Sequence, residues 1–224
     1  MPAKTKPARR YRQFTERKLE ILRSASAAFA KNGFSGATME DIAEKVNMAK
    51  GNLYYYFPSK QDLLFFIQDQ SLGRLIEQAE TVSRSNIPAT EQLRALITAH
   101  VKTILEEIYG STAHTDFRSL PATQLKKVIR KRDRYEKTYR HVIERGIASG
   151  TFRKCDVKTT TWAILGALNW TVQWFSPDGS ISVDDLGNQY ADLFLHALAS
   201  SPPGQEGQTR AIVFDRERRG GRPS

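Results

Sequence analysis

A chain of 224 residues can hold one or two domains with a buried core, and 40% hydrophobic with 26% charged residues is an ordinary globular balance. A formal charge of +10 favours a polyanionic partner. The single cysteine, Cys155, excludes an intrachain disulfide and a cysteine-built zinc site, and no apolar run approaches the ~20 residues that cross a bilayer.

Residues 1–13 are basic, hold two prolines and show no apolar periodicity, which predicts a disordered arm. They lack the apolar stretch of a signal peptide, so a cytoplasmic protein with no membrane partner is expected. The arm is either a solvated tail or a phosphate and minor-groove contact. Thr15 is the expected cap of a first helix running to about Asn32, with Leu19, Leu22, Ala25 or Ser26, and Phe29 as its apolar stripe and Asn32-Gly33 as its stop. Thr38 caps a second helix whose apolar face is Met39, Ile42, Ala43 and Val46. Asn47 tolerates the left-handed backbone of a sharp turn. A third helix, about Ala49 to Phe57, buries Leu53 and Phe57 and shows Lys50, Gly51, Asn52 and Tyr54–Tyr56 on its other face. Pro58 stops it. Two short helices at a steep angle, the second polar and aromatic outside, are a helix-turn-helix, and residues 14–58 form the expected DNA-binding domain.

From residue 59 to 200 the chain reads as a helical bundle. A long helix starts at Ser59 and runs to about Val82, too long to serve the headpiece alone. Further helices are expected over about Ala89–Tyr109, Ala113–Leu120, Thr123–Ser149 and Val157–Phe175, and from Ser182 to about Ala199. Pro202-Pro203 opens a tail, residues 201–224, expected to be disordered. The fold class is all-α: a three-helix headpiece followed by a helical ligand-binding and dimerisation domain.

A helix in the major groove must bring donors and small residues to the duplex. Lys50 and Lys60 suit phosphates, and Gly51 lets the helix approach closely. Asn52 can bond a base edge, with adenine its bidentate partner. Tyr54 and Tyr55 offer hydroxyls to phosphate and ring faces to thymine methyls. Thr38, at a helix N-terminus, suits another phosphate. One helix cannot bury three consecutive aromatics on one face, so at least one or two of Tyr54, Tyr55 and Tyr56 point outward. One headpiece covers too few base pairs to select a site, so a homodimer on a near-palindromic operator in double-stranded DNA is expected. The helix at 157–175 is apolar on two faces: Ile164, Leu165, Leu168, Val172 and Phe175 on one, Trp162, Gly166, Trp170 and Trp174 on the other. Trp162 and Gly166, with Leu193 and Phe194 of the last helix, are the expected dimer contacts.

A small-molecule effector needs a pocket. On the helix at 123–149 the stripe Leu125, Val128, Ile129, Tyr135, Tyr139, Val142, Ile143 also carries Arg132. A charge on an apolar stripe must be paired or face an anion in a cavity. The cations around it are a solvated basic face or an anchor for a phosphorylated or carboxylate ligand. Trp162, Trp170 and Trp174 are core, dimer contact or cavity lining, and Asn169 adds polar capacity. Arg118, with His114 and Asp116, lies where a gate would form. The candidate ligand set is Arg118, Arg132, Tyr135, Tyr139, Asn169, Trp170 and Trp174. The four histidines are scattered and no nucleotide loop, nucleophile elbow or metal-ligand spacing occurs, so no catalytic residue, cofactor or metal is expected and the chain is not read as an enzyme.

The run Thr38…Asp41-Ile42-Ala43…Lys50-Gly51-Asn52-Leu53-Tyr54-Tyr55-Tyr56-Phe57-Pro58-Ser59-Lys60…Leu63-Leu64 resembles the DNA-binding signature of TetR/AcrR-family transcriptional regulators. It departs at Ala49, where the family often has Ser or Thr, and at Asn47, where Gly is frequent. The resemblance implies a repressor that dimerises through a four-helix bundle of its last helix pair and leaves DNA on binding an effector. Arg130-Lys-Arg-Asp-Arg-Tyr135, Ala167-Leu-Asn-Trp170 with Trp174-Phe-Ser-Pro-Asp-Gly179, and Tyr190-Ala-Asp-Leu-Phe194 resemble the branch that senses acyl-CoA thioesters of lipid, sterol or aromatic catabolism. A regulator of an efflux pump sensing lipophilic or aromatic compounds is the alternative within the family. A non-specific architectural DNA-binding protein is the alternative outside it.

Overall fold

A computed structural model describes residues 6–106 and 117–200. These form eight α-helices: α1 (Lys6–Gly36), α2 (Met39–Lys45), α3 (Lys50–Tyr56), α4 (Lys60–Arg84), α5 (Ala89–Glu106), α6 (Ala122–Ala148), α7 (Val157–Trp170) and α8 (Val183–Leu198). Short 3-10 turns lie at Phe117–Ser119 and Thr171–Gln173, and no strand occurs among the described residues. The tail from residue 201, His114 and Asp116 lie outside the described residues.

Local chemistry sets most helix ends. Thr38 and Asp41 form a capping box at the start of α2, Ser59 and Ser182 cap α4 and α8, and Asp156 caps α7. Gly33 takes a left-handed φ of 68° and kinks α1, and Asn47 (φ 49°) makes the turn between α2 and α3. Two expectations need correction. α1 starts at Lys6, not at Thr15, so residues 6–13 of the expected disordered arm are helical. Pro7 sits in the first turn, where its missing N–H breaks no helical bond and its fixed φ suits the helix. α7 ends at Trp170 rather than Phe175, because the chain tightens into the 3-10 turn and the Trp174 N–H returns to the Thr171 carbonyl.

The apolar residues separate into two cores. The first joins α1, α2 and α3 to the first half of α4 (Leu63, Leu64, Ile67, Leu72), and takes in Leu120 and Val128. The second joins the rest of α4, from Leu75, to α5, α7, α8 and the part of α6 from Tyr135 on. Thus α4 and α6 both pass from one core into the other. Gly187 of α8 lies tight against α5, a Cβ there falling 3.3 Å from Thr98 Cα. Gly146 of α6 is filled by the Phe152 ring, and an isolated bridge ties Phe152 to Ala199.

Candidate nucleic-acid interface and effector cavity

α3 presents the expected face. Leu53 and Phe57 are buried, while Lys50, Gly51, Asn52, Tyr54 and Tyr55 are exposed, Tyr55 at 76%. Tyr56 is half-buried and stacked on Phe14 of α1, with ring centroids 5.0 Å apart. Its ring therefore braces the recognition helix against α1, and Tyr55 packs edge-on against it at 5.5 Å. Lys50 pairs with Glu40, and that hydrogen bond raises the Lys50 pKa and lowers that of Glu40. Thr38 donates its backbone N–H to the Asp41 carboxylate at 3.1 Å and accepts from the Asp41 N–H, so only its hydroxyl proton remains for a phosphate. An open groove of about 380 Å³ follows the start of α3, lined by Arg17, Asn47, Met48, Asn52 and Tyr55 among others. Sequence reasoning missed Arg17, whose signal was its place in the basic run that leads into the headpiece; its guanidinium donates to the Val46 carbonyl at 2.7 Å.

Lys60 has other work. Its ammonium donates to the carbonyls of Phe34 (2.6 Å), Ala37 (2.8 Å) and Ser35 (3.4 Å) and lies 4.5 Å from the Phe34 ring centroid. A lysine has three donors, and these acceptors take all three. Lys60 pins the end of α1 to the start of α4.

A cavity of about 330 Å³ opens between α4, α5, α6 and α7. Leu72, His100, Arg132, Tyr135, Leu165 and Asn169 line its walls. Asp133, Trp162 and Gly166 also line it and are exposed, which marks the mouth. Within the wall, His100 Nδ1 lies 2.9 Å from the Tyr135 hydroxyl, which is 3.3 Å from that of Tyr139. Tyr139 donates to the Leu96 carbonyl at 2.9 Å. Burial pushes the His100 pKa down to about 3, so its imidazole is neutral, and raises those of both tyrosines. The Arg132 guanidinium lies 4.5 Å from the Phe117 ring centroid, its Nη1 is buried without a partner among the described residues, and burial lowers its pKa.

The structure therefore brings Arg132, Tyr135 and Asn169 together at the cavity, with Tyr139 behind Tyr135. Arg118 is exposed and lines no part of it. Trp170 and Trp174, expected as ligand contacts, are outside it and 66% and 49% exposed. Trp162 and Gly166, expected at a dimer interface, sit at the mouth. Leu193 is 60% exposed, and Phe194 is half-buried beside Tyr190. His100 and Leu72 were missed. His100 carried a legible signal, since it occupies the apolar stripe of α5 between Ile97 and Val101 as Arg132 does on α6.

A helix-turn-helix headpiece on a helical body with a cavity of small-molecule size defines a DNA-binding transcriptional regulator. Residues 21–66 match the profile of bacterial regulatory proteins of the tetR family, and residues 86–198 match that of the tetracyclin repressor-like C-terminal domain. The chain belongs to the TetR family of regulators. It is similar to the HTH-type transcriptional repressor KstR2 of Rhodococcus jostii (strain RHA1), 27% identical over 195 residues that cover 82% of this chain and 92% of that one. Among solved structures, the TetR family regulator PfmR from Thermus thermophilus is 31% identical with a TM-score of 0.73, covering 79% of this chain and 97% of that one. AibR in complex with isovaleryl coenzyme A and operator DNA shares the fold, with a TM-score of 0.71 at 22% identity over 82% of this chain and 98% of that one.

Proposed function

We propose that this regulator is a homodimeric repressor that leaves its operator when an acyl-CoA thioester occupies the Arg132 cavity. The position of that cavity carries the reading. It lies where α4 and α6 cross from the headpiece core into the body core, so its contents bear on the headpiece. A volume of about 330 Å³ holds roughly ten heavy atoms at ~30 Å³ each, enough for an acyl group but not for coenzyme A. The nucleotide part would lie outside the mouth, where Lys158 sits 4.9 Å from the Trp162 ring centroid. The coenzyme A ligand of AibR supports the class. Exposed Trp170, Trp174 and Leu193 supply the apolar surface for a partner subunit.

Asn52, Tyr54 and Tyr55 are the base and backbone readers in this proposal, with Arg17, Lys50, Gly51 and Thr38 placing them. Two such headpieces read half-sites about one helical turn apart. The test is fluorescence anisotropy on a duplex that the full-length protein selects from random sequence, with and without a series of acyl-CoA thioesters. Release by a thioester, and not by its free acid or by lipophilic drugs, supports the reading. Release by lipophilic drugs alone selects the efflux-type alternative. Equal competition by random DNA at moderate salt rejects sequence-specific repression.

A further inference from the structure

Arg132 lines the cavity, and its Nη1 is buried without a partner among the described residues. The Asn169 side chain, also in the lining, lies within hydrogen-bond reach of His100. A cavity shaped for a plain alkyl chain gains nothing from such a donor as Arg132 Nη1, and leaving it unpaired weakens the fold. A ligand carrying an acceptor oxygen gives it a partner.

The charges narrow the ligand further. The cations either side of Arg132 are engaged elsewhere: Lys131 with Asp69 at 2.6 Å and Arg134 with Glu80 at 2.5 Å. Glu136, which also lines the cavity, is held by Arg140. Asp133 is exposed. His100 in the wall is neutral and adds no second cation. Arg132 thus brings a half-buried positive charge to the cavity, with its Nη1 bonded to no carboxylate of the described residues. A planar guanidinium matches a carboxylate in both charge and hydrogen-bond geometry.

We propose that the acyl group of the effector ends in a carboxylate, bound by Arg132 Nη1. Short dicarboxylic acyl thioesters are the ligand class, and straight-chain fatty acyl thioesters are excluded. The inference rests on the cavity being the effector site.

Calorimetric titration of the full-length protein with adipyl-CoA and hexanoyl-CoA tests it, since the two differ by one terminal carboxylate in place of a methyl group. Adipyl-CoA is expected to bind about tenfold more tightly or better. Arg132→Met, similar in length and uncharged, removes that preference. Equal affinities, or a preference for hexanoyl-CoA, overturn the inference and leave the effector cavity standing. A preference that survives in Arg132→Met also overturns it, and the wild-type comparison decides even if this variant does not fold. Free adipate serves as the control for coenzyme A. If adipate binds through Arg132 and neither thioester does, the carboxylate inference holds and the acyl-CoA reading fails. If none of the three binds to protein that still binds DNA, both fail.

Discussion

Replacing Lys60 by methionine separates a structural pin from a phosphate contact. The lysine ammonium makes two short bonds, 2.6 Å to the Phe34 carbonyl and 2.8 Å to that of Ala37. These carbonyls lie around the end of α1, where helical carbonyls lack partners and a cation is favoured. Charged hydrogen bonds contribute ~1.5 kcal/mol each at the lower end of their range. The helix end adds ~0.5 kcal/mol, and partial exposure of the ammonium takes some of this back. Lys60→Met should therefore cost about 2–3 kcal/mol, which for a chain of this size lowers the melting temperature by about 5–10 °C. Thermal unfolding by circular dichroism reads this directly. DNA binding, followed by anisotropy between about 50 and 200 mM salt, should weaken equally on all sequences with no change in salt slope. An unchanged melting temperature with a slope smaller by about one would refute the pin and assign Lys60 to a phosphate.

Asn52→Ala should cost about 1–3 kcal/mol on the best duplex and relax selectivity at one base pair per half-site, read by competition with singly substituted duplexes. Equal weakening on every duplex would count against base reading. Gly146→Ala places a Cβ 2.0 Å from Phe152 Cδ2, so the overpacking cost of about 1–3 kcal/mol should outweigh the ~1 kcal/mol of helix propensity gained. Urea unfolding should show a loss that Phe152→Leu in the same chain partly relieves, and a stabilised single variant would contradict the packing. His100 has a folded pKa of about 3 against 6.5 unfolded, so the unfolded chain takes up the proton first. Its contribution is complete above pH 6.5 and falls as pH drops toward 3, by up to ~1.4 kcal/mol per unit. Between pH 7 and 5 the wild type should lose about 2 kcal/mol more than His100→Gln, and parallel urea profiles would sink the assignment. Gln124→Leu removes the 2.7 Å bond to the Asp62 carboxylate that links α6 to α4. Affinities for DNA alone and effector alone should stay within a few-fold, while the effect of one on the other shrinks. Unchanged coupling would mean the signal passes elsewhere.

The headpiece was legible because its rules are local. Caps, the Asn47 turn and the Leu53–Phe57 spacing are written within a short stretch of chain, and a helix-turn-helix allows few other arrangements. Arg132 was legible for a related reason, since a cation on an apolar stripe contradicts its own helix face. The tryptophans were not. Helical periodicity places Trp162, Trp170 and Trp174 on one face, but which neighbour covers that face depends on where α7 ends. The helix stops at Trp170, which leaves Trp162 at the cavity mouth and the other two at the surface. The helical start of α1 was hidden by composition: basic residues and a proline suggest disorder, although a proline in the first turn fits a helix. Lys60 shows the limit of reading charge from sequence. A lysine at the edge of a DNA-binding motif suggests phosphate until the three carbonyls 23 to 26 residues earlier come into view.

Effector control needs a joint that yields before the cores do, and the contacts between α4 and α6 are graded for that. Losing a buried leucine from either core costs about 2–5 kcal/mol. The polar contacts are weaker: Gln124 to Asp62, Lys131 to Asp69 and Arg134 to Glu80, of which an exposed ion pair contributes ~0.2–1 kcal/mol. A tenfold change in operator affinity requires about 1.4 kcal/mol of coupling, the sum of two or three such contacts. A ligand in the cavity can supply that much without disrupting either core. The headpiece should then move as a unit with the first half of α4 and the start of α6, because Leu72, Leu120 and Val128 hold these segments in the headpiece core. Leu75, about one turn further along α4, and Tyr135, about two turns beyond Val128 on α6, stay with the body. Slippage is confined to the stretch between them, which is where Arg132 faces the cavity, with Leu72 at its edge. By linkage, operator DNA that holds the headpieces at one spacing weakens effector binding by the same factor that the effector weakens DNA binding.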